Sequence, residues 1–287
     1  MKRPLLAALC ALALHAQAVQ VLDDRGAVVE IAQPPRRIVS MLPSLTEVVC
    51  ELGACARLVG VDDYSNWPPR AGALPRVGGL EDSNIEKIVA LAPDLVLVAS
   101  SSRAASRLEG LGIKVVALEP KTLAQLHRAW LMLAQVVDAP QAAASWQRLE
   151  AAVHTAAQGL PAALRGTTVY FEVDDGPYAA SEASFVGELL ARIGVANVVP
   201  GRLGPFPKLN PEFVVRADPQ VIIISQREAQ GLAGRPGWSR IRAVRDRHVC
   251  LLSAQQGDVL VRPGPRMAQA AQIMVDCIRG RGKDGVR

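Results

Sequence analysis

The chain has 287 residues, a mass of 30.5 kDa and a formal net charge of +5, with 50% hydrophobic and 21% charged residues. At roughly 150 residues per domain this length predicts two domains or lobes, and the composition excludes an intrinsically disordered chain. Because Lys and Arg form no dense run before the C-terminal tail, the charge also argues against a nucleic-acid-binding protein.

The N-terminus has the pattern of a secretory signal peptide. Two basic residues precede an apolar run over residues 5–14, and a small-residue A-x-A site ends at Ala18. This run is shorter than the roughly 20 residues that a membrane-spanning helix needs. Cys10 lies too early in the run, and after too large a residue, for a lipoprotein anchor. The sequence therefore predicts a cleaved signal peptide at residues 1–18 and a freely soluble exported protein.

The cysteines that follow the signal are Cys50, Cys55, Cys250 and Cys277. Export would place them in an oxidising compartment, where an even count permits two disulfides in any of three pairings. The spacing of Cys50 and Cys55 resembles half of a metal site. Without a nearby histidine or second cysteine pair, it favours buried apolar cysteines instead.

Strand and helix patterns alternate along the first half of the chain. A hairpin is predicted over residues 21–33. Strands are predicted at 37–41, 58–61, 95–99 and 114–117, and helices at 43–52, 83–91, 103–111 and 123–137. This alternation predicts a parallel sheet that is covered by helices on both faces.

Strong helix formers then fill residues 140–158, which predicts a rod of about 28 Å. A second alternation follows, with strands at 168–173, 221–225 and 249–253 and helices at 185–193, 212–216 and 264–278. We therefore predict an α/β fold of two parallel-sheet sandwiches joined by one long α-helix, with a ligand cleft between the lobes. The predicted division is 1–18 signal peptide, 19–139 N-terminal lobe, 140–160 interlobe backbone helix and 161–287 C-terminal lobe.

The two halves repeat each other at an offset of 126 residues. Gly78-Gly79-Leu80, Asn84-x-Glu86 and Pro93 correspond to Gly204-Pro205-Phe206, Asn210-x-Glu212 and Pro219. Each half thereby places one glutamate in the first turn of a helix. A capping box over residues 83–86, or the helix dipole, would explain such a glutamate locally. As a pair, Glu86 and Glu212 would dock on a two-fold symmetric partner with a basic patch on each subunit.

Four segments carry a family resemblance: RIVSMLPSLTEVVCELG, LVGVDDYSNWPP, VGGLEDSNIEKIVALAPDLVLV and GPFPKLNPEFVVRADPQVIII. They resemble the periplasmic iron/cobalamin-binding proteins, the class III solute-binding proteins of ABC importers, and most of all the cobalamin-binding members. The resemblance covers roughly residues 36–280. It implies a monomeric periplasmic protein with a rigid interlobe helix and no covalently bound cofactor. Such a protein delivers cobalamin or a related corrinoid to a homodimeric inner-membrane permease, docking through Glu86 and Glu212.

The resemblance also implies a cleft lined by aromatic residues together with an aspartate and an arginine. The predicted ligand-binding residues are Tyr64, Trp67, Tyr178, Phe206, Asp258 and Arg262. Trp67 is included because it lies beside Tyr64 in a proline-rich loop. Asp258 and Arg262 have the alternative interpretation of a local ion pair in a loop. Leu80 and Ala99 stand where the cobalamin-binding members carry tryptophan, so two stacking surfaces are absent.

Other functions make different demands on the same residues. A haem would be held by Tyr64, and a ferric siderophore would need basic groups in the cleft, for which Lys208 and Arg103 are candidates. An exported enzyme is disfavoured because G-x-S-x-G, H-E-x-x-H and P-loop motifs are absent from the sequence. The four histidines do not group into a metal site either. A ligand sensor without an importer would not need the paired glutamates.

Overall fold

The computed structural model describes residues 18–174 and 176–280. Its first part contains the hairpin β1 (Val19–Leu22) and β2 (Val28–Ile31), and the sheet strands β3 (Ile38–Ser40), β4 (Leu58–Val61), β5 (Leu95–Val98) and β6 (Val115–Ala117). The four sheet strands are parallel, in the order β4-β3-β5-β6. The helices of this part are α1 (Pro43–Glu51), α2 (Pro69–Gly72), α3 (Ile85–Ala90), α4 (Ala104–Gly110) and α5 (Leu123–Val137).

Helix α6 (Ala142–Gln158) leads to a second sheet of β7 (Thr168–Asp174), β8 (Tyr178–Ala179), β9 (Ala196–Asn197), β10 (Val221–Ser225) and β11 (Val249–Leu252). Strands β9, β7, β10 and β11 pair in parallel, and β8 is antiparallel to β7. The helices are α7 (Phe185–Ile193), α8 (Pro211–Ala217), α9 (Arg242–Arg245), α10 (Ala254–Val261) and α11 (Met267–Ile278). The predicted two-lobed α/β fold is confirmed.

One hydrophobic core runs through both lobes. It joins Leu97 of β5 to Phe171 of β7 through the buried Trp130 and Trp146 and through Met274 of α11. Helix α6 packs against α5, α7 and α11, so its apolar face contacts helices from both parts of the chain. Because close-packed interiors resist deformation, this continuous core restrains the lobes relative to each other. The division of the chain at residues 140–160 stays a prediction.

The internal repeat is also a repeat of backbone structure. A glycine with positive φ precedes each of the two helices, at Gly78 (φ 90°) and Gly204 (φ 85°). An asparagine caps each helix, Asn84 for α3 and Asn210 for α8. A residue with positive φ follows each helix, at Ala92 (φ 42°) and Asp218 (φ 43°). Only glycine suits residue 78, since a Cβ there would also lie 2.4 Å from the carbonyl oxygen of Asp82. The two helices are therefore equivalent elements of the two lobes.

The capping box predicted over residues 83–86 is wrong. The cap of α3 is Asn84, whose side-chain oxygen accepts a hydrogen bond from the backbone N–H of Lys87 at 2.8 Å. The hydroxyl of Ser83 instead donates to the carbonyl of Gly79 at 2.8 Å. An asparagine satisfies the same orphan N–H group as a serine would, so Glu86 is left exposed on the helix surface.

Both cysteine pairs are disulfides, which is one of the three pairings that the sequence left open. The interpretation of Cys50 and Cys55 as buried apolar cysteines is wrong, because they are bonded to each other and only half-buried. Cys50 at the end of α1 is bonded to Cys55 in the following turn, and Cys250 of β11 is bonded to Cys277 of α11. The second bond crosses from sheet to helix within the second lobe.

A helix was missed between β11 and the closing helix. Ser253 and Gln256 form a capping box, in which each side chain accepts a hydrogen bond from the other residue's backbone N–H. This box starts α10, so residues 254–261 are helical where a loop was expected, and the closing helix begins at Met267 rather than at residue 264.

All but the last residue of the predicted signal peptide lie outside the described residues. Among the helices that are described, none is long and apolar enough to span a membrane.

Asp23 anchors the hairpin to the first sheet. Its carboxylate accepts hydrogen bonds from the Arg25 side chain at 2.8 and 3.0 Å, and from the backbone N–H groups of Arg25, Ala27 and Ala117 at 2.9, 3.0 and 3.2 Å. Burial by itself would raise the pKa of Asp23, but these hydrogen bonds outweigh it and hold the pKa below its usual value. The ionised carboxylate therefore stabilises the fold.

We expect Asp23→Asn to lower the free energy of unfolding by about 1–3 kcal/mol at pH 7. Because the folded-state pKa is depressed, this contribution is complete above the unfolded pKa near ~4 and is lost as the pH falls through the folded pKa. The difference in the free energy of unfolding between wild type and variant should therefore disappear as the pH falls below about 4, as measured by urea unfolding at several pH values. Asp246→Asn, at an exposed position, is the control. A gap that stays constant down to pH ~2 would contradict the prediction.

Candidate functional site

A groove of about 650 Å³ lies where β4 of the first lobe and β11 of the second lobe end. Asn66 and Trp67, from the loop after β4, line one side. The other side is lined by Gln256 and Asp258 of α10, by Arg266 directly before α11, and by Gln269 of α11. Open α/β sheets bind ligands in the crevice outside the carboxyl ends of their strands. A groove of this size holds a drug-sized ligand or one side of a larger one, so we take it as the candidate site.

The loop after β4 is held from beneath by polar groups. The Asp62 carboxylate is buried; it accepts a hydrogen bond from the Ser65 hydroxyl and one from the backbone N–H of Tyr64 at 2.8 Å. The Arg76 guanidinium donates to the carbonyls of Asp62 and Ser65 at 2.7 Å. Burial raises the pKa of Asp62, although these hydrogen bonds and nearby arginines oppose the rise. The loop thereby presents Tyr64 and Trp67, which are 67% and 44% exposed.

Asp258 and Arg262 lie on α10 and at its C-terminal end, which corrects the expectation of a loop. Their side chains form an ion pair at 2.7 Å. Asp258 also accepts a hydrogen bond from the Asn66 amide across the groove at 2.7 Å. Arg262 is only 8% exposed and donates to the Asn66 side-chain oxygen at 2.7 Å and to the Tyr64 carbonyl at 3.1 Å. The pair is therefore a local ion pair, as the alternative interpretation expected, but on a helix, and both of its members also contact the opposite lobe.

Tyr178 and Phe206 lie on a ribbon of the second lobe, formed by β8 and the segment that runs beside it. Tyr178 is exposed, with the Lys208 ammonium 5.5 Å from its ring centre. Phe206 is half-buried and contacts the ring of Phe185 edge-on at 6.1 Å between centres. Neither residue is among those that line the Trp67 groove. Their contact with a ligand stays a prediction.

The other positions singled out in the sequence have clear locations. Ala99 is buried directly after β5, whereas Leu80 is exposed and follows Gly79, where a Cβ would lie 3.4 Å from the Tyr64 ring. Arg103 is exposed at the start of α4.

Glu86 and Glu212 are both exposed in the first turns of α3 and α8, and Glu212 lies 3.8 Å from Arg216. Their pairing with a permease stays a prediction.

A second groove, of about 810 Å³, lies between α5, α6 and α7 and is remote from the strand ends. Its wall includes His127, whose ring stacks on Trp146 with 4.5 Å between centres. This stacking explains the histidine as a packing residue. In the two ranges of residues that the structure describes, no three His, Cys, Asp or Glu side chains are grouped as a metal site.

Three residues at the candidate site were missed in the sequence: Glu47, Asn66 and Arg266. Asn66 stands inside the segment DDYSNWPP that drew attention to Tyr64 and Trp67. Glu47 had a signal as well, because it is a charge within the otherwise apolar and small-residue start of α1, and it is buried there. A buried charge requires a partner, but the partner could not be identified from the sequence.

A protein family and several known relatives match most of the chain. A family model described as periplasmic binding protein matches residues 38–256. The chain is 28% identical over 246 residues to a vitamin B12-binding protein of Pectobacterium carotovorum, covering 83% of this chain and 86% of the relative. It is 26% identical over 275 residues to an uncharacterized ABC transporter substrate-binding lipoprotein of Bacillus subtilis, covering 91% and 85%.

Solved structures are similar over nearly the whole chain. The vitamin B12-binding protein of Vibrio cholerae superposes with a TM-score of 0.67 at 26% identity, covering 88% of this chain and 99% of the other. A heme-binding protein of Roseiflexus superposes with a TM-score of 0.72 at 25% identity, covering 86% and 99%.

Proposed function

The chain belongs to the periplasmic binding protein family, and on that premise we propose that it captures cobalamin or a related corrinoid between its lobes. We further propose that it hands this ligand to a homodimeric ABC permease in the inner membrane. In this role the protein acts as a monomeric carrier and catalyses no reaction. We place it in the periplasm after cleavage at Ala18. The alternative is a lipid-anchored form, as the name of the Bacillus subtilis relative suggests. The mass of the mature protein distinguishes the two, because an attached lipid adds to the mass of the N-terminal residue.

One observation carries the proposal: exposed aromatic rings on one lobe face polar side chains on the other across the groove. Trp67 offers a flat apolar surface, on which a corrin ring can stack. Opposite it, Asp258, Gln256 and Gln269 line the groove. Carboxylate and amide groups are suitable partners for the amide substituents at the edge of a corrin. The 28% identity to vitamin B12-binding proteins supports the same ligand class.

Haem is the second candidate. The Tyr64 phenol is exposed beside the groove, and a tyrosinate is a known type of haem ligand. Arg266 in the groove and Lys208 on the ribbon could pair with propionates. The same two cations would suit a ferric siderophore. The similarity to the Roseiflexus heme-binding structure supports haem as the second candidate.

We expect the purified mature protein to bind cyanocobalamin saturably at one-to-one stoichiometry in an absorbance titration. Trp67→Ala should weaken this binding about tenfold, because the loss of a stacked aromatic surface costs about 1.4 kcal/mol. Leu131→Ala, which removes a similarly exposed apolar side chain on α5, is the matched control and should bind like the wild type.

A parallel titration with haemin separates the candidates. A Soret band that disappears in Tyr64→Ala, without cyanocobalamin binding, would replace the corrinoid by haem. If neither probe binds, both ligands are rejected, and ferric siderophores become the next class to titrate.

A further inference from the structure

A buried ion-pair cluster joins the two lobes beside the groove. At its centre is Glu47 of α1, whose side chain is 1% exposed. The Arg266 guanidinium donates to both carboxylate oxygens of Glu47, with 2.8 Å between Arg266 Nε and Glu47 Oε2. Arg262 Nη1 lies 3.4 Å from Glu47 Oε1. One carboxylate of the first lobe thus contacts two guanidinium groups of the second, and Asp258 supplies a second negative charge to Arg262.

The same arginines contact the loop that carries the exposed aromatic rings. Arg262 donates to the Tyr64 carbonyl and to the Asn66 side chain, and the Arg266 guanidinium lies 5.4 Å from the centre of the Trp67 ring. The loop is therefore held in part by the opposite lobe. Each arginine makes one set of contacts with Glu47 and another with this loop.

We propose that Glu47 is a positioning residue for ligand binding: through Arg262 and Arg266 it aligns the Tyr64–Trp67 loop with Asp258 across the groove. Glu47 is too deeply buried to touch a ligand itself. Without this charge Arg266 loses the anion that accepts both of its hydrogen bonds, whereas Arg262 loses one contact and keeps those with Asp258, Asn66 and the Tyr64 carbonyl. A shift of the Arg266 guanidinium displaces its cation–π contact with Trp67 and so moves the loop. The inference rests on the proposed function only where it takes Trp67 and Asp258 as ligand contacts.

The alternative hypothesis is that the cluster only holds the two lobes together, and it predicts a different result. Removing its charge would lower the stability of the protein, but the groove of the folded molecules would be unchanged. The test therefore needs a signal from the groove itself. Trp67 supplies it, because it is 44% exposed, whereas the other three tryptophans, Trp130, Trp146 and Trp238, are buried.

The decisive variant is Glu47→Gln, which keeps the shape of the side chain and removes its charge. We expect its cyanocobalamin Kd to rise about tenfold and acrylamide quenching of its tryptophan fluorescence to change. The Trp67→Phe background should abolish that change in quenching. Glu172→Gln is the matched control, because Glu172 is an equally buried, arginine-paired carboxylate that lies on β7 of the second lobe. It should leave both readouts as in the wild type.

Each outcome decides the proposal. If Glu47→Gln lowers the unfolding midpoint but leaves the quenching and the Kd unchanged, the cluster is structural only and the proposal is wrong. If the variant does not fold, Glu47→Asp, which keeps the charge but draws it back by one methylene, is judged by the same two measurements. If wild type binds neither cyanocobalamin nor haemin, the proposed function fails, while the quenching of Trp67 still decides whether Glu47 positions the loop.

Discussion

Reversing the charge of both exposed glutamates, Glu86→Lys and Glu212→Lys, is expected to reduce ligand uptake by cells tenfold or more. The Kd of the purified protein for the same ligand should not change. The two residues occupy equivalent positions on the repeated helices α3 and α8, so a two-fold symmetric permease could contact both in the same way. Losing even about 1.4 kcal/mol of charge complementarity at this interface corresponds to a tenfold weaker complex.

The local explanation of these glutamates predicts a smaller effect of a different kind. Asn84 and Asn210 already cap the two helices, so the glutamates contribute only their interaction with the helix dipole. That interaction is worth about 0.3–1 kcal/mol of stability at an exposed site. Charge reversal could thus lower the unfolding midpoint slightly without affecting uptake.

Uptake of labelled cyanocobalamin by cells that depend on this protein is the measurement. Glu51→Lys is the control, because it reverses an exposed glutamate at the far end of α1. Uptake that equals the wild type in the doubly reversed variant would contradict permease docking through these residues. It would also strengthen the interpretation of the protein as a sensor.

Arg235→Met is expected to cause the largest loss of stability, about 3–5 kcal/mol in the free energy of unfolding. Arg235 forms two hydrogen bonds of 2.7 Å with the buried carboxylate of Glu172, and its guanidinium also lies 4.5 Å from the centre of the Trp238 ring. The Tyr170 hydroxyl donates to the same carboxylate at 3.0 Å. Burial and the negative charge of Glu172 raise the pKa of Tyr170, so this phenol stays neutral and remains a donor.

The loss arises because the variant leaves a buried carboxylate without its guanidinium partner. Urea unfolding followed by circular dichroism measures it. Adding Glu172→Gln in the same chain should recover at least half of the lost stability, since the buried negative charge is then removed. A loss below about 1 kcal/mol in the single variant would show that water or a neighbouring side chain replaces the guanidinium.

Much of the fold follows from local patterns. Parallel strands are buried on both faces and are therefore continuous apolar runs, which is why β4 and β10 were predicted with the boundaries observed. The repeat was visible because left-handed glycines and asparagine caps are local requirements of the backbone. The family resemblance led to Tyr64 and Asp258, and the proline-rich loop beside Tyr64 led to Trp67; the structure brings the three residues to one region.

Long-range pairing was decided only by the tertiary structure. Glu47 and Arg266 are 219 residues apart, and nothing in either local segment specifies the other as its partner. The same holds for the choice among three disulfide pairings, which depends on which cysteines the packed elements bring together. The family resemblance predicted Arg262 at the ligand, whereas its burial arises from its contacts with Asn66 and Tyr64 of the first lobe.

The sequence by itself therefore determined the alternation of strands and helices, the repeat and the membership of a family, because these depend on periodicity and turn chemistry within short windows. The tertiary structure alone decided which charges face each other across the two lobes. Such contacts form only when a close-packed core brings distant segments together. In this protein those contacts define one edge of the groove.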